Sequence, residues 1–178
     1  MEMMIDIETL DVKPTAVVLS VGAVAFERSG QIRDRFYRVL DVQKQTKLGR
    51  TVSFDTVQWW MDQEPDAQAE AFATVRQRVA DVLTDLNAYC RKYDSNTYWA
   101  LGPQFDYIIL ESLHDQMGSS VPWSHGQLRD VRTMCGEANI DRRGHGSQVM
   151  GLPHTPIYDC EFQIELLTMA RGRVNRNG

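Results

Sequence analysis

A chain of 178 residues, 43% hydrophobic and 24% charged, has the composition of an ordinary soluble globule, with length for one domain that buries roughly 70% of its unfolded surface. Its net charge of -5 excludes a protein that coats nucleic acid by bulk charge, but not a nucleic-acid enzyme, since a carboxylate-rich cation site is itself acidic. The three cysteines, Cys90, Cys135 and Cys160, are widely spaced with no Cys-x-x-Cys pair; this argues against a disulfide framework or a zinc knuckle and predicts a reduced, cytoplasmic protein.

The chain opens on Met3-Met4-Ile5-Asp6-Ile7-Glu8-Thr9-Leu10, an apolar run that becomes an alternation. On a strand, Ile5 and Ile7 share one face while Asp6 and Glu8 share the other. Carboxylates two apart on a strand stand about 7 Å apart, which suits two oxygen ligands reaching one hard cation or a close pair. Taken alone, an Asp-x-Glu is more ordinarily the solvated face of an edge strand. Glu2, Asp6 and Glu8 without a basic run do not read as a signal peptide. The longest apolar stretch, Ala16 to Phe26, is too short to span a membrane and is broken by Ser20 and Gly22.

Asp11 to Pro14 reads as a turn. Ala16 to Phe26 reads as a buried strand, and Ser29-Gly30 as a hairpin signal before a third strand over Arg33 to Leu40. Strands in such close succession predict an antiparallel meander. Residues 41–52 read as polar and irregular. Ser53 caps a short helix through Met61, in which Trp59 and Trp60 project about 100° apart. At most one of them faces the core squarely; the other packs at a surface or offers a platform for a base.

Pro65 to Lys92 reads as one long helix, with Phe72, Val75, Val79, Val82, Leu83 and Leu86 at three-four spacing. Thr97 to Leu101 is a short strand ended by Gly102-Pro103. Gln104 to Met117 is a helix with Phe105, Ile108, Ile109 and Leu113 inward and Asp106 in its first turn, where a carboxylate also suits the helix dipole. Residues 119–151 are glycine-rich, with a short element near Arg129 to Ala138 and a loop carrying Arg142, Arg143 and His145. The last helix has Thr155 as N-cap and Pro156 at its first position. Ile157, Cys160, Ile164 and Leu167 form its apolar stripe. Asp159 lies off that stripe, and His154 lies on the incoming loop. Arg171 to Gly178 reads as a flexible basic tail on a single domain spanning residues 1–178.

This order predicts an α/β fold of the mixed, α+β kind, with helices covering the sheet. Asp6, Glu8, Asp106 and Asp159 fall at element ends or on the first strand, and His154 precedes the last of them. The arrangement resembles the DEDDh (DnaQ-like) 3′-to-5′ exonucleases of the ribonuclease H-like superfamily. The first motif matches as Asp6-Ile7-Glu8-Thr9-Leu10, the second as Trp99 through Asp106, and the third as His154-Thr155-Pro156-Ile157-Tyr158-Asp159. Leu19 to Val24 together with Trp59-Trp60 looks like a small stand-alone subgroup from phage and bacteria. Thr155-Pro156 departs from the family, which often has Asn or Ala soon after the histidine; this puts the path of the loop carrying His154 in question. His145, in a glycine-flanked loop, competes for the role of base, but only His154 has the family's spacing to an Asp.

The resemblance implies a ribonuclease H-like fold: a three-strand antiparallel meander extended by parallel strands, with helices on both faces. It implies two divalent cations, Mg2+ or Mn2+. Asp6 bridges both, Glu8 and Asp159 hold the one carrying the attacking water, Asp106 supports the second, and His154 takes the proton. All-oxygen ligation suits magnesium or manganese better than zinc. Thr9, Leu10 and Phe105 correspond to positions near the terminal nucleotide, with a core role open for Leu10 and favoured for Phe105. Arg142, Arg143 and the tail arginines are ordinary solvated surface or phosphate contacts. The implied activity is hydrolysis of single-stranded DNA or RNA from the 3′ end to nucleoside 5′-monophosphates, in the cytoplasm, or the host's if the chain is phage-encoded. The alternatives are a non-catalytic binder of nucleic-acid ends or of a polymerase on the same fold, and a ribonuclease H-type endonuclease. Dimerisation is common among the small stand-alone relatives, and an exposed Trp59 or Trp60 offers a surface for a homodimer.

Overall fold

β1 (Glu2–Thr9), β2 (Val18–Phe26) and β3 (Ile32–Val39) pair as an antiparallel meander, with Asp6 opposite Gly22 and Glu8 opposite Ser20. β4 (Thr97–Ala100) joins β1 in parallel, and β5 (Leu128–Asp130) joins β4 in parallel. The result is a five-stranded mixed sheet of order β3-β2-β1-β4-β5. The computed structural model describes residues 1–142, 144 and 149–177; His145 and Arg143 lie outside the described residues.

Both faces of the sheet are covered, so β2 is buried along its whole length. On one face Ile5, Ile7, Val21 and Ala23 pack against Leu83 and Leu86 of α4 (Val79–Lys92) and Ile109 and Leu113 of α5 (Pro103–Gln116). On the other, Met4, Val24 and Phe26 meet Val131 and Cys135 of α6 (Val131–Glu137) and Cys160, Ile164 and Leu167 of α7 (Pro156–Asn177). This strict alternation turns Asp6 and Glu8 toward α7. A third cluster joins Leu10, Val17 and Leu19 to Trp60 and Ala71. All three cysteines are free and buried. Among the described residues, no helix is long and apolar enough to cross a membrane.

One close approach sets the height of α7 above the sheet. A Cβ on Gly22 would fall 2.6 Å from Pro156 Cβ and 2.8 Å from Pro156 C, so the first residue of α7 rests directly on the backbone of β2. The absence of a side chain there is a packing requirement rather than a turn requirement.

The structure departs from the sequence expectations in several places. The polar stretch after β3 contains α1 (Val42–Lys47), capped by the Asp41 carboxylate. Its buried Gln45 donates to the Val18 carbonyl and accepts the Val18 N–H, both at 2.8 Å, replacing a strand neighbour for the end of β2. Ser53 precedes α2 (Phe54–Met61) without a side-chain cap hydrogen bond. The long helix expected from Pro65 is broken into α3 (Pro65–Ala71) and α4. Between them Gln77 is drawn to the sheet, its N–H donating to Val39 O and its carbonyl accepting the Asp41 N–H. Phe72 and Val75 are therefore exposed, Val75 at 85%. Ile108, expected inward, is 41% exposed, and Tyr107 is buried in its stead. Where a tail was expected, α7 carries on through Asn177, and Arg171 is buried in an ion pair with Glu2 at 2.6 Å.

Candidate active site

β1 and β4 run parallel only from Glu2↔Thr97 to Met4↔Trp99. Past that point β4 turns away through Gly102, whose φ of +104° suits glycine, into α5. The Ile7 N–H, left without a ladder partner on that side, donates instead to Asp106 Oδ1 at 3.2 Å. The first turn of α5 is thereby pinned beside Asp6 and Glu8, at the carboxyl ends of the central parallel strands, where open α/β sheets place their ligands.

α7 supplies the other half. Asp159 lies in its first turn, and its carboxylate takes the backbone N–H of His154. Thr155 does not cap through its hydroxyl, which donates to Leu152 O at 2.7 Å; its carbonyl accepts the Asp159 N–H at 3.0 Å. His154 adopts φ +65°, and its ring meets Trp59 edge-to-face at 4.9 Å between centroids. Ligand-capable atoms of Glu8, His154 and Asp159 all lie within 4.8 Å of one another. The five sequence-derived positions Asp6, Glu8, Asp106, His154 and Asp159 thus converge from β1, α5, α7 and the loop that leads into α7.

The electrostatics of that convergence are unfavourable without a counter-charge. Burial raises the Asp6 carboxyl well above its usual range, and the charges of Asp106, Asp159 and Glu8 raise it further, against a lowering hydrogen bond from Gln163. Burial likewise lifts Glu8, with Asp159 and Asp106 adding to it. It pushes Asp106 and Asp159 each up to about 7. Burial holds the His154 imidazole below its ordinary value, so the ring is neutral at physiological pH. Acidic oxygens packed this closely fit a hard divalent cation far better than an empty pocket, because a cation replaces mutual repulsion with ligation.

A cleft of about 630 Å3 reaches this cluster through Glu8 and His154 and is also walled by Thr9, Val12, Trp59, Phe105 and Arg132 among others. Phe105 is half-buried between cleft and core. Thr9 lines the cleft, but its hydroxyl is turned to Asp11 O at 2.7 Å. Leu10 is not brought to the cleft; it is 6% exposed and packs in the third cluster. Trp60 is fully buried and donates from Nε1 to Thr9 O at 2.9 Å, while Trp59 is 42% exposed on the cleft wall.

Two residues here had gone unread. Gln163 Nε2 donates to Asp6 Oδ1 at 2.7 Å; its position four residues after Asp159, on the same helix face, was the available signal. Arg132 sits on the cleft wall near Gly102 and Asp106. It lies in the short element expected near Arg129 to Ala138, where no functional residue was singled out.

The family model described as the Rv2179c-like 3′-5′ exoribonuclease domain matches residues 1–170. No curated protein matches the chain. Among solved structures it is similar to exonuclease X in complex with 5′-overhanging duplex DNA, at 17% identity and TM-score 0.62, over 97% of this chain and 92% of that one. It is also similar to exonuclease I, at 11% identity and TM-score 0.73, over 98% of this chain and 41% of that one. The metal-free form of an E. coli exonuclease I complex with single-stranded DNA matches at 12% identity and TM-score 0.66, over 98% and 40% of the two chains. At such identities the likeness is one of fold.

Proposed function

The chain belongs to the family of Rv2179c-like 3′-5′ exoribonuclease domains and is a 3′-5′ exonuclease acting on nucleic acid; from that premise we propose that it trims single-stranded RNA from the 3′ end by the DEDDh mechanism, releasing nucleoside 5′-monophosphates. The observation that carries the reading is the meeting of Asp6, Glu8, Asp106 and Asp159 with His154, beside an open cleft that Glu8 and His154 line. RNA is preferred to DNA here on the family's description.

In this reading Asp6, Glu8, Asp106 and Asp159 hold two divalent cations, Mg2+ or Mn2+. Bound there, such ions supply Lewis-acid stabilisation of the charge that builds on the phosphoryl oxygens and lower the pKa of the attacking water. The remaining chemistry belongs to the chain. His154 takes the proton of that water on a ring nitrogen, which its burial keeps free of a proton at neutral pH. Trp59 supports the ring by its edge-to-face contact. Gln163 holds Asp6 in one orientation, as outer residues commonly do for ligating carboxylates. Phe105 and Thr9 border the space for the terminal nucleotide.

The test is a product ladder from end-labelled RNA and DNA of one sequence, with Mn2+ and with an EDTA control. Stepwise loss from the 3′ end of RNA, absent with EDTA and in a folded Asp6→Ala variant, is the expected result. Undiminished turnover by Asp6→Ala would overturn the site assignment, and internal cleavage of a circular RNA would overturn the polarity.

A further inference from the structure

We propose that Arg132 is a substrate-binding residue whose guanidinium grips a non-bridging phosphate oxygen of the nucleic-acid backbone in this cleft. The proposal rests on the functional reading above and adds a group that the acidic motifs do not include.

Arg132 is the second residue of α6, directly after β5. The Asp130 carboxylate that caps α6 is taken up within its own turn: it accepts the Arg132 N–H at 2.9 Å, the Thr133 N–H at 3.3 Å and the Thr133 hydroxyl at 2.8 Å. Asp130 therefore anchors the Arg132 main chain and leaves its side chain free to reach across to the β4–α5 turn. There Cζ lies 3.0 Å, and Nη1 and Nη2 each 3.2 Å, from the point where a Cβ of Gly102 would sit. Three nearly equal distances mean that the flat face of the guanidinium rests on Gly102, so its N–H edges point away from that surface. Among the described residues, the Arg132 side chain makes no hydrogen bond or ion pair. Its charge is felt by the nearby Asp106 carboxyl, which it lowers against the effect of burial.

The surroundings make a free, oriented fork consequential. Glu8 and Asp55 line the cleft, and Arg132 is the only Lys or Arg among its described lining residues. A polyanion entering a cleft floored by carboxylates is repelled unless cations meet it. A guanidinium held by its face and open at its edges matches phosphate geometry in a way that a solvated surface arginine, free to rotate, does not.

The experiment measures binding of a fluorescent single-stranded oligoribonucleotide to the whole chain as a function of KCl. Asp6→Asn serves as the parent, so that turnover is suppressed, and Asp6→Asn/Arg132→Gln and Asp6→Asn/Arg132→Lys are compared with it. Loss of one phosphate contact lowers the slope of log K against log salt by about 0.7 for a single strand. Affinity falls about tenfold or more with it, as expected for a hydrogen bond to a charged group. The lysine variant keeps the slope, because it keeps the charge, and loses part of the affinity with the fork. Unchanged affinity in the glutamine variant, or weaker affinity with an unchanged slope, overturns the proposal; the second outcome assigns Arg132 a purely structural role. Wild-type turnover of the same RNA with Mn2+, run in parallel, reports on the exonuclease reading separately from Arg132.

Discussion

Gln163 Nε2 donates to Asp6 Oδ1 at 2.7 Å, across 157 residues of sequence. Gln163 is 2% exposed, and among the described residues its Oε1 has no hydrogen-bond partner. A leucine at position 163 retains the volume and deletes the donor. We expect Gln163→Leu to weaken Mn2+ binding about 10- to 100-fold, the usual cost of losing an outer partner of a ligating carboxylate. Its own stability should change by no more than about 1–3 kcal/mol. Titration calorimetry with Mn2+ alone checks the first, and urea denaturation the second.

The raised carboxyls predict how stability follows pH in metal-free protein. Asp106 and Asp159 titrate at about 7 when folded and near 4 when unfolded, and Asp6 and Glu8 are raised as well. Between these limits the folded state binds more protons, so stability falls as pH rises. The contribution is full below about pH 4 and lost above about pH 7. His114, lowered to about 4, and His154, also lowered, act in the opposite sense below about pH 6.5, but they oppose four acids. Thermal melts from pH 5 to pH 8 in EDTA should therefore show a falling midpoint. Added Mn2+ should raise the midpoint more at pH 7.5 than at pH 5, where protons compete for the same oxygens.

The two adjacent indoles separate by role. Trp60 is fully buried, and its Nε1 satisfies the carbonyl next to Glu8. Trp60→Phe leaves that carbonyl unpaired and should cost about 1–3 kcal/mol, and Trp60→Ala about 3–5 kcal/mol. Trp59→Ala should leave the fold nearly intact while lowering kcat, through loss of the edge-to-face support to His154. Denaturation curves and single-turnover rates for the three variants distinguish these effects.

Glu2 and Arg171 form a buried ion pair at the far end of β1, with Trp99 Nε1 donating to the same carboxylate oxygen at 2.8 Å. Glu2→Ala should destabilise by about 3–5 kcal/mol because Arg171 is left buried and unpaired. Pairing it with Arg171→Met should recover most of that loss. A double-mutant cycle by denaturant unfolding measures the coupling.

The acids were legible because their signal is local. A period of two sets Asp6 and Glu8 on one face of β1, and a cap followed by a helix places Asp159 in the first turn of α7. The tertiary partners were not legible in the same way. Arg132 belongs to the site through a contact with Gly102, thirty residues earlier in the chain, and nothing near Arg132 announces it. Phe72 and Val75 matched a helical stripe, yet the sheet recruits Gln77 as a further hydrogen-bonding edge, and that pairing outweighs local helix preference between α3 and α4. Gln45 similarly acts as a strand substitute from a stretch that carries no strand pattern.

The bare backbone of β2 at Gly22 works as a gauge for the spacing of the acid cluster. Directly across the ladder from Asp6, it lets Pro156 seat, and Pro156 leads the helix that brings Asp159 and Gln163 down to the first strand. The distance between the two halves of the acid cluster is thus calibrated from a strand that contributes no acid. A larger residue at position 22 would act as a shim, lifting one jaw of the site by degrees set by side-chain volume, and would offer a graded means of detuning cleavage without touching a single reacting group.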